Sequence, residues 1–413
     1  EGVVANVNLA KLDLDAWSEV LSRAAGADLS PVGVATSGAS ASTSYLPTSV
    51  AVRARELMAG GRRLSNVVVG GGREGLLWRA NLDASEMNGY VEYRQSSGPA
   101  AGRLYARLSR LAIAQSAAQE VESALDEQPV SIPALDIVVD DFELRGKRLG
   151  RVEIDAVNLA PGTSPAARDL PREWRLNRFN ISTPEAVFTS SGNCSNVNAP
   201  AGPLVARTIK ERRRTVLNFK LDINDSGELL HRFGMPGVVR KGVGKVEGQV
   251  AWLGSPITLD YPSMSGSFNV NVENGQFLKT DPGIAKLLGV LSLQSLPRRL
   301  ALDFRDVFSE GFTFDFFRGD VNIAQGRAHT NNLQMKGVSA AVLMEGQADI
   351  AKETQNIKVV VVPELNAGSA SLAMAYINPV VGLSSFLAQL ILRKPLIEAA
   401  TFELLVDGTW LDP

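Results

Sequence analysis

The chain has 413 residues, of which 45% are hydrophobic and 21% are charged, with a formal net charge of −2. This near-neutral balance provides no electrostatic attraction to nucleic acid, so we set nucleic-acid binding aside. Aromatic residues make up only 6% of the chain and glycines number 37, which favours many short strands joined by turns over long helical bundles.

The first half of the chain contains short segments in which polar and apolar residues alternate, the pattern of strands with one buried face. These segments are Leu77 to Asp83, Tyr90 to Tyr93, Leu104 to Leu108, Ile137 to Leu144, Val152 to Val157 and Trp174 to Ile181. Two other stretches, Ala16 to Ala25 and Arg110 to Leu125, are predicted to be helices. We therefore expect strands from near the start of the chain, with few helices between them.

The alternation is clearer in two segments of the second half. In the first, the apolar residues on one side are Leu217, Phe219, Leu221 and Ile223; in the second they are Phe268, Val270 and Val272. The Asn274-Gly275 pair that follows predicts a hairpin turn, with Phe277 opening the returning strand. Between the two segments, Ser226 is predicted to cap a short helix that ends near Gly234.

Beyond residue 280 the pattern begins with a helix and continues with strands. Asp281-Pro282 is a typical helix start, and the leucine-rich residues after it form one apolar stripe. From Gly311 onwards we predict an antiparallel meander, with chain reversals near Gly319, Gly326, Gly337 and Gly346. Its apolar positions are Phe312, Phe314, Phe316, Val321, Ile323, Leu333, Met335, Val342, Met344, Val359 and Val361.

The segment from Asn366 to Leu392 contains no charged residue. Its length would permit a membrane span, but Asn378, Pro379 and Gly382 interrupt it, which favours an interfacial or sheet-capping helix. A helix from Pro379 to Lys394 would place one apolar stripe in position for membrane contact, formed by Leu383, Phe386, Leu387, Leu390 and Ile391. Docking of this helix onto the end of the sheet is an equally good interpretation at this stage.

The residue patterns of common enzymes and metal sites are missing from the sequence. His231 and His329 lie far apart and have no partner at ligand spacing, so no metal site is predicted. Asp140 and Asp141 are adjacent, and adjacent strand residues point to opposite faces, so these carboxylates do not flank one bond as in a glycosidase. We predict no catalytic residue and no cofactor.

The stretch from Leu291 to Phe317 reads LSLQSLPRRLALDFRDVFSEGFTFDFF. It resembles the carboxy-terminal region of the AsmA-like family, in its YhdP-type branch. Further similar pieces are Lys394-Pro395-Leu396, the closing Gly408-Thr409-Trp410-Leu411-Asp412-Pro413, and Leu12-Asp13-Leu14-Asp15-Ala16-Trp17 near the start. The resemblance is sharp over roughly the last 130 residues and general before Asp281.

The resemblance implies a periplasmic protein that moves phospholipid between the inner and outer membranes of a Gram-negative envelope. An upstream segment would anchor it in the inner membrane, which agrees with a chain that begins with Glu1 and shows no signal peptide. Phospholipid and the two membranes would be its partners, with envelope proteins as further candidates. The implied fold is mostly β, an elongated and curved antiparallel sheet forming a groove, with a few short capping helices and a carboxy-terminal apolar helix.

We expect residues 1–280 to form an extended part of this groove and residues 281–413 to form the family's carboxy-terminal region. The apolar strand residues named above are the predicted lipid-binding residues, because their side chains would shield acyl chains from water. The predicted set is Leu217, Phe219, Leu221, Ile223, Phe268, Val270, Val272, Phe312, Phe314, Phe316, Leu333, Met335, Val342, Met344, Val359 and Val361.

Two other functions compete with lipid transport. Alternating aromatic residues usually form a closed core, so the pattern alone favours an envelope scaffold or assembly factor with a β-sandwich core. The resemblance to the AsmA-like family instead favours lipid transport over the scaffold. A carbohydrate-binding or hydrolytic enzyme would need an exposed aromatic platform or a pair of carboxylates across a cleft, and the sequence indicates neither.

Overall fold

A computed structural model of the chain describes residues 3–17, 47–59, 62–97, 101–113, 133–159, 173–196, 213–256, 259–278, 312–337, 340–363 and 402–409. The first nine strands are β1 (Val4–Asp13), β2 (Ser49–Ala59), β3 (Arg62–Glu74), β4 (Leu77–Asp83), β5 (Met87–Arg94), β6 (Arg103–Ile113), β7 (Ala134–Leu144), β8 (Lys147–Leu159) and β9 (Glu173–Ser182).

The other nine strands are β10 (Ala186–Asn196), β11 (Arg213–Ile223), β12 (Val239–Leu253), β13 (Ser265–Phe277), β14 (Phe312–Ala324), β15 (Arg327–Gly337), β16 (Ala340–Asp349), β17 (Thr354–Pro363) and β18 (Phe402–Thr409). Helix α1 (Ser226–Arg232) and a 3₁₀ turn, Tyr261–Ser263, lie between strands, and residues 14–17 after β1 are helical as well.

The strands belong to a single 18-stranded sheet. Strands that follow one another in sequence pair with one another, and nearly all of these pairings are antiparallel. The pairs β1–β2 and β6–β7 are parallel. A parallel pair needs a long crossover, and long stretches of chain do separate these strands. The predicted mostly-β, largely antiparallel fold with few helices is confirmed.

The chain divides into two compact units. The amino-terminal unit comprises Glu1–Ser182, Ser191–Arg213 and Ser255–Thr258. The carboxy-terminal unit comprises Thr183–Ser190, Arg214–Gly254 and Leu259–Pro413. The predicted division at residue 281 falls in a segment outside the described residues and stays a prediction.

The core of the amino-terminal unit consists of separate small clusters. Leu12, Ala54, Leu57, Val67 and Ala84 form one of them, and Ala106, Leu108, Val139 and Val152 form another. In the second cluster Ala106 and Leu108 share one face of β6, as period-two alternation requires. In the first, Ala54 and Leu57 are three residues apart on β2, on either side of a kink where the paired strand has Asn66 at a positive φ of 56°. The apolar face of this unit is therefore buried only at intervals.

The carboxy-terminal unit has a larger core that includes residues from β11 to β17. At the start of β16 and the end of β17 both faces are buried, because Val342 and Val361 on one face and Leu343 and Val360 on the other are all at most 2% exposed. A strand buried on both faces is a near-continuous run of apolar residues, which is how these two segments read. This is the most deeply packed part of the described chain.

A backbone kink interrupts the neighbouring strands β12 and β13. Asn274 and Lys241, on neighbouring strands, both have positive φ angles, at 58° and 57°. The chain kinks there and continues, so the predicted hairpin at Asn274-Gly275 is wrong, and Phe277 ends β13 rather than opening a new strand. The left-handed conformation that Asn-Gly favours is used here within a strand.

Further local predictions need correction. Residues 110–113 continue strand β6 rather than beginning a helix, and 114–125 lie outside the described residues. Gly319 lies inside β14, and Gly346 lies inside β16, so neither marks a chain reversal. The short helix α1 is present, but Asp225 caps it, with its side chain accepting hydrogen bonds from the backbone N–H groups of Gly227 and Glu228.

Three predicted helices fall mainly or wholly outside the described residues: Ala16 to Ala25, the helix starting at Asp281, and the apolar helix with Leu383, Phe386, Leu387, Leu390 and Ile391. Among the described helices, none is long and apolar enough to cross a bilayer.

Candidate functional site: the apolar face of the sheet

Strand pairing in the carboxy-terminal unit aligns most of the predicted lipid-binding residues on one face, which we call the apolar face. Leu221 pairs with Val246, which pairs with Val270, and the row continues past Gly319 to Leu333. Met335, Val342 and Val361 form the adjacent row further along the sheet. Period-two alternation thus brings side chains from distant parts of the sequence into continuous apolar rows.

The apolar face is only half-buried in its middle rows. Six of the predicted residues have intermediate exposure: Leu217, Phe219, Leu221, Phe268, Val270 and Leu333. An aromatic row crosses this region, since the ring of Phe219 lies 6.4 Å from those of both Phe188 and Phe268. Gly248 stands between Phe219 and Phe268 in the row, and its missing side chain lets the two rings approach.

Towards one end of the strands, the same face becomes a closed core. Seven predicted residues are buried there: Ile223, Val272, Phe312, Phe314, Met335, Val342 and Val361. Met344 and Val359, which continue the row of Leu333, are buried as well. The rings of Phe312 and Phe314 lie against Gly337 and Gly275, where an added Cβ would stand 2.4 Å and 2.3 Å from ring atoms. These two phenylalanines are therefore packing residues in this structure.

Helix α1 covers this closed end. Leu229, Leu230 and Phe233 pack against the core cluster, together with Met235 and Val238 from the segment that follows the helix. Because these residues lie over Ile223 and Val272, they separate the end of the apolar face from solvent. The face is thus closed at one end and half-buried in the middle.

A buried ion pair holds α1 in place. Glu185 is 6% exposed, and its carboxylate accepts hydrogen bonds from Nε and, at 3.0 Å, from Nη2 of Arg232 at the end of the helix. The Glu185 carbonyl also accepts from the backbone N–H groups of Asn224 and Asp225. Hydrogen bonding to Arg232 lowers the pKa of Glu185 below its usual value, in spite of burial. The Ser226 hydroxyl adds a hydrogen bond of 2.5 Å to the Lys241 carbonyl.

Phe316 does not belong to the apolar face. A β-bulge places one extra residue of β14 between Phe314, which pairs with Gly337, and Phe316, which pairs with Lys336. The bulge turns Phe316 to the opposite, polar face and lets Phe317 take the apolar position beside Met335. The Arg318 guanidinium lies over the Phe316 ring at 4.1 Å. The grouping of Phe316 with Phe312 and Phe314 is therefore wrong.

The amino-terminal unit has an apolar row that the sequence prediction did not include. Val91, Ala106, Ile137, Ile154 and Phe179 are joined by successive strand pairings. All except Ala106 are half-buried, like the middle of the apolar face in the other unit. The alternation that predicted these strands also carried the signal for this row, because each of these residues occupies an apolar position in its strand.

The described residues contain no group of three or more His, Cys, Asp or Glu side chains arranged to hold a metal ion. His231 lies on α1 beside Glu228 at 3.6 Å, and His329 lies on β15.

Comparison with known proteins assigns the family. The family model described as "YhdP protein" matches residues 1–413. The chain belongs to the YhdP protein family. One YhdP relative, the "Intermembrane phospholipid transporter YhdP" of Escherichia coli (strain K12), is 29% identical over 201 residues, which cover 48% of this chain and 16% of that protein. This YhdP chain therefore matches only a small part of the curated relative. No solved structure gives a significant match.

Proposed function

We propose that this chain carries phospholipid between the membranes of the cell envelope, with the acyl chains resting on the apolar face. The half-buried middle of that face is the main support, because its Phe and Leu side chains keep some apolar surface exposed to water. An acyl chain lying on the row would cover that surface. Keeping one acyl methylene out of water is worth about 0.8 kcal/mol, so a face that covers the acyl chain replaces the burial that the lipid loses when it leaves a bilayer. The transport named for the E. coli relative supports the same function.

The proposed route uses the half-buried rows rather than the buried core. In the carboxy-terminal unit these are the rows of Phe219, Phe268, Val270 and Leu333, and in the amino-terminal unit the row of Val91, Ile137, Ile154 and Phe179. The polar headgroup would stay in water, at the open side of the groove. Such a conduit needs no catalytic residue, because the lipid is unchanged by transfer. Periplasmic location and an inner-membrane anchor upstream are part of the proposal.

Site-specific photocrosslinking tests the route. A benzophenone side chain placed at Phe268 in the full chain, in cells, is expected to form phospholipid adducts detectable by mass spectrometry. Ser267 is the matched control, because it is the adjacent residue and its side chain is exposed on the polar face. Adducts at Phe268 and not at Ser267 would support the conduit. Their absence at both Phe268 and Phe219 would favour the scaffold with a closed core.

A further inference from the structure

The polar face of the carboxy-terminal unit contains an open pocket with a volume of about 610 Å³. Most of its lining residues lie on the side of the strands opposite the apolar face, and Gly248 and Phe268 of the apolar row line it as well. Small-molecule sites usually have volumes of about 300–1,000 Å³. Its lining is unusual in being rich in amides, contributed by Asn218, Gln249, Asn269, Asn322, Asn331 and Asn332.

A β-bulge in the middle of the sheet creates part of this lining. Arg318 pairs with Gln334 and Asn322 pairs with His329, so β15 has one more residue than β14 between these pairs. The pairing of β15 with β16 shows the same extra residue between Thr330 and Leu333. Because a bulge re-aims neighbouring side chains, Asn331 and Asn332 both line the pocket although they are adjacent in sequence.

Hydrogen bonds fix the polar groups of the pocket. The Asp320 carboxylate accepts from Asn269 Nδ2 at 2.9 Å and from Asn332 Nδ2 at 2.7 Å, while Asn332 Oδ1 accepts from the Asp320 backbone N–H at 2.9 Å. Asn332 is 7% exposed. At the other side of the pocket, Gln249 Nε2 donates to Asn218 Oδ1 at 2.6 Å. Groups held in this way meet a ligand with little further loss of side-chain entropy.

The chemistry of the lining indicates the class of ligand. Amides offer both donors and acceptors, and Glu247 and Asp320 add carboxylate acceptors. Among the described lining residues there is no Lys or Arg, and Lys245, which lies outside this lining, is already paired with Glu247 at 2.7 Å, so an anion would meet carboxylates without an unpaired lysine or arginine. Hydroxyl groups both donate and accept, so a neutral ligand with many hydroxyls matches this set best. We propose that the pocket binds a neutral saccharide.

The adjoining pocket supports an elongated ligand. It has a volume of about 380 Å³ and shares Asn269, Asp320 and Asn332 with the first pocket. Asn271 and Gln334 extend the amide lining, and Lys245 and Arg318 appear only here. A saccharide of more than one unit would therefore continue from the first pocket into the second, along the polar face.

Binding of neutral tetrasaccharides built on glucose, N-acetylglucosamine, mannose or galactose, measured by calorimetry with the full chain, tests the proposal. The double variant N322A/N331A removes two amides from the pocket without touching the buried Asn332. It is expected to weaken binding about tenfold or more, from the loss of two hydrogen-bonding side chains. Asn81→Ala is the matched control, because Asn81 is an exposed strand residue of the amino-terminal unit.

A second binding experiment uses vesicles that contain a glycosyl diacylglycerol. It distinguishes a free glycan from a glycolipid headgroup as the ligand. Binding of soluble saccharide that N322A/N331A weakens supports a free glycan as ligand, and binding to such vesicles alone, weakened by the same variant, supports a glycolipid headgroup. No saturable binding in either arm, or binding that the variant leaves unchanged, overturns the proposal. Phospholipid adducts at Phe219, which is not among the lining residues of the pocket, are expected to persist in N322A/N331A, so a failure of the saccharide site is distinguishable from a failure of the lipid route.

Discussion

The two units use the same strand pattern with different polar faces. In the amino-terminal unit the polar face is charge-paired: Arg107 lies 2.6 Å from Asp136, and Glu153 lies 2.9 Å from Arg151 and 3.4 Å from Arg178. In the carboxy-terminal unit, amide side chains dominate the middle of that face. Exposed ion pairs such as these contribute little to stability. Ordered amides instead provide directed hydrogen-bonding groups.

The cores differ in a second way. The amino-terminal unit has small clusters, whereas the carboxy-terminal unit has a large core closed by α1 and strands buried on both faces. Alternation determines which side chains share a face, and the elements packed on that face determine how deeply they are buried. A substitution should therefore have very different costs in the two units, and at the two faces of one strand.

The largest expected effect comes from a matched pair of phenylalanines. Phe314→Ala removes a ring that is 3% exposed and packed on Gly275, so we expect a loss of about 3–5 kcal/mol in the free energy of unfolding. Phe316→Ala, two residues away and half-buried on the polar face, should cost about 1 kcal/mol. Urea unfolding of the two variants measures the difference. Equal costs would show that the two rings share a face.

Removing one member of an ion pair compares the two units directly. Glu185→Gln leaves Arg232 without its carboxylate, and we expect a loss of about 2 kcal/mol, less than for a fully buried pair because Arg232 remains partly exposed. Glu153→Gln in the amino-terminal unit should cost less than about 1 kcal/mol, because its two arginines are about half exposed. Thermal or urea unfolding separates these values. A larger cost for Glu153→Gln would contradict the comparison.

The Glu185 pair also predicts a pH dependence. Because the pKa of Glu185 is lower in the folded chain than in the unfolded chain, its contribution is complete above the unfolded value of about 4.3. The contribution disappears as the pH falls through the lowered folded pKa, since the unfolded state then binds the proton more readily. Urea midpoints measured from about pH 6 to about pH 3 should converge for wild type and Glu185→Gln. A constant gap over this range would refute the assignment.

Alanine substitutions at two glycines are expected to have effects of opposite sign, the second of them small. At Gly337 an added Cβ would stand 2.4 Å from both Phe312 Cζ and the Thr313 carbonyl oxygen, so Gly337→Ala should destabilise the chain by about 1–3 kcal/mol. At Gly70, in β3, no atom lies within 4 Å of the added Cβ. Gly70→Ala should stabilise by about 0.4–1 kcal/mol, through the lower entropy of the unfolded chain. Calorimetric melting of both variants tests the pair.

The sequence predicts the strands well because alternation is a local signal, but it does not predict bulges. Phe312, Phe314 and Phe316 alternate perfectly, and only the pairing of β14 with β15 shows the extra residue that turns Phe316 away. The same limit applies to Asn274-Gly275, whose preference for positive φ fits a kink as well as a hairpin. Side-chain type alone does not distinguish these outcomes, because the register of the partner strand decides between them.

The polar pocket shows what sequence reasoning missed and why. Asn331 and Asn332 end a run of four polar residues, His329 to Asn332, which interrupts the alternation of β15 and is a sequence sign of a bulge. The other amides come from β11, β12, β13 and β14 and meet only through strand pairing. The half-buried apolar rows were easier to predict, because each strand carries its own part of the signal.

Pairing between strands that are neighbours in sequence also affects how the chain can fold and change in evolution. Most described strands in such pairs find their partner within a short stretch of chain, so much of the sheet can grow one strand at a time as the polypeptide is delivered from its amino terminus. In a chain of this kind, stability is approximately a sum of nearest-neighbour terms, as in repeat proteins. Adding or deleting a hairpin would then change the length of the sheet while leaving distant strand pairs as they were.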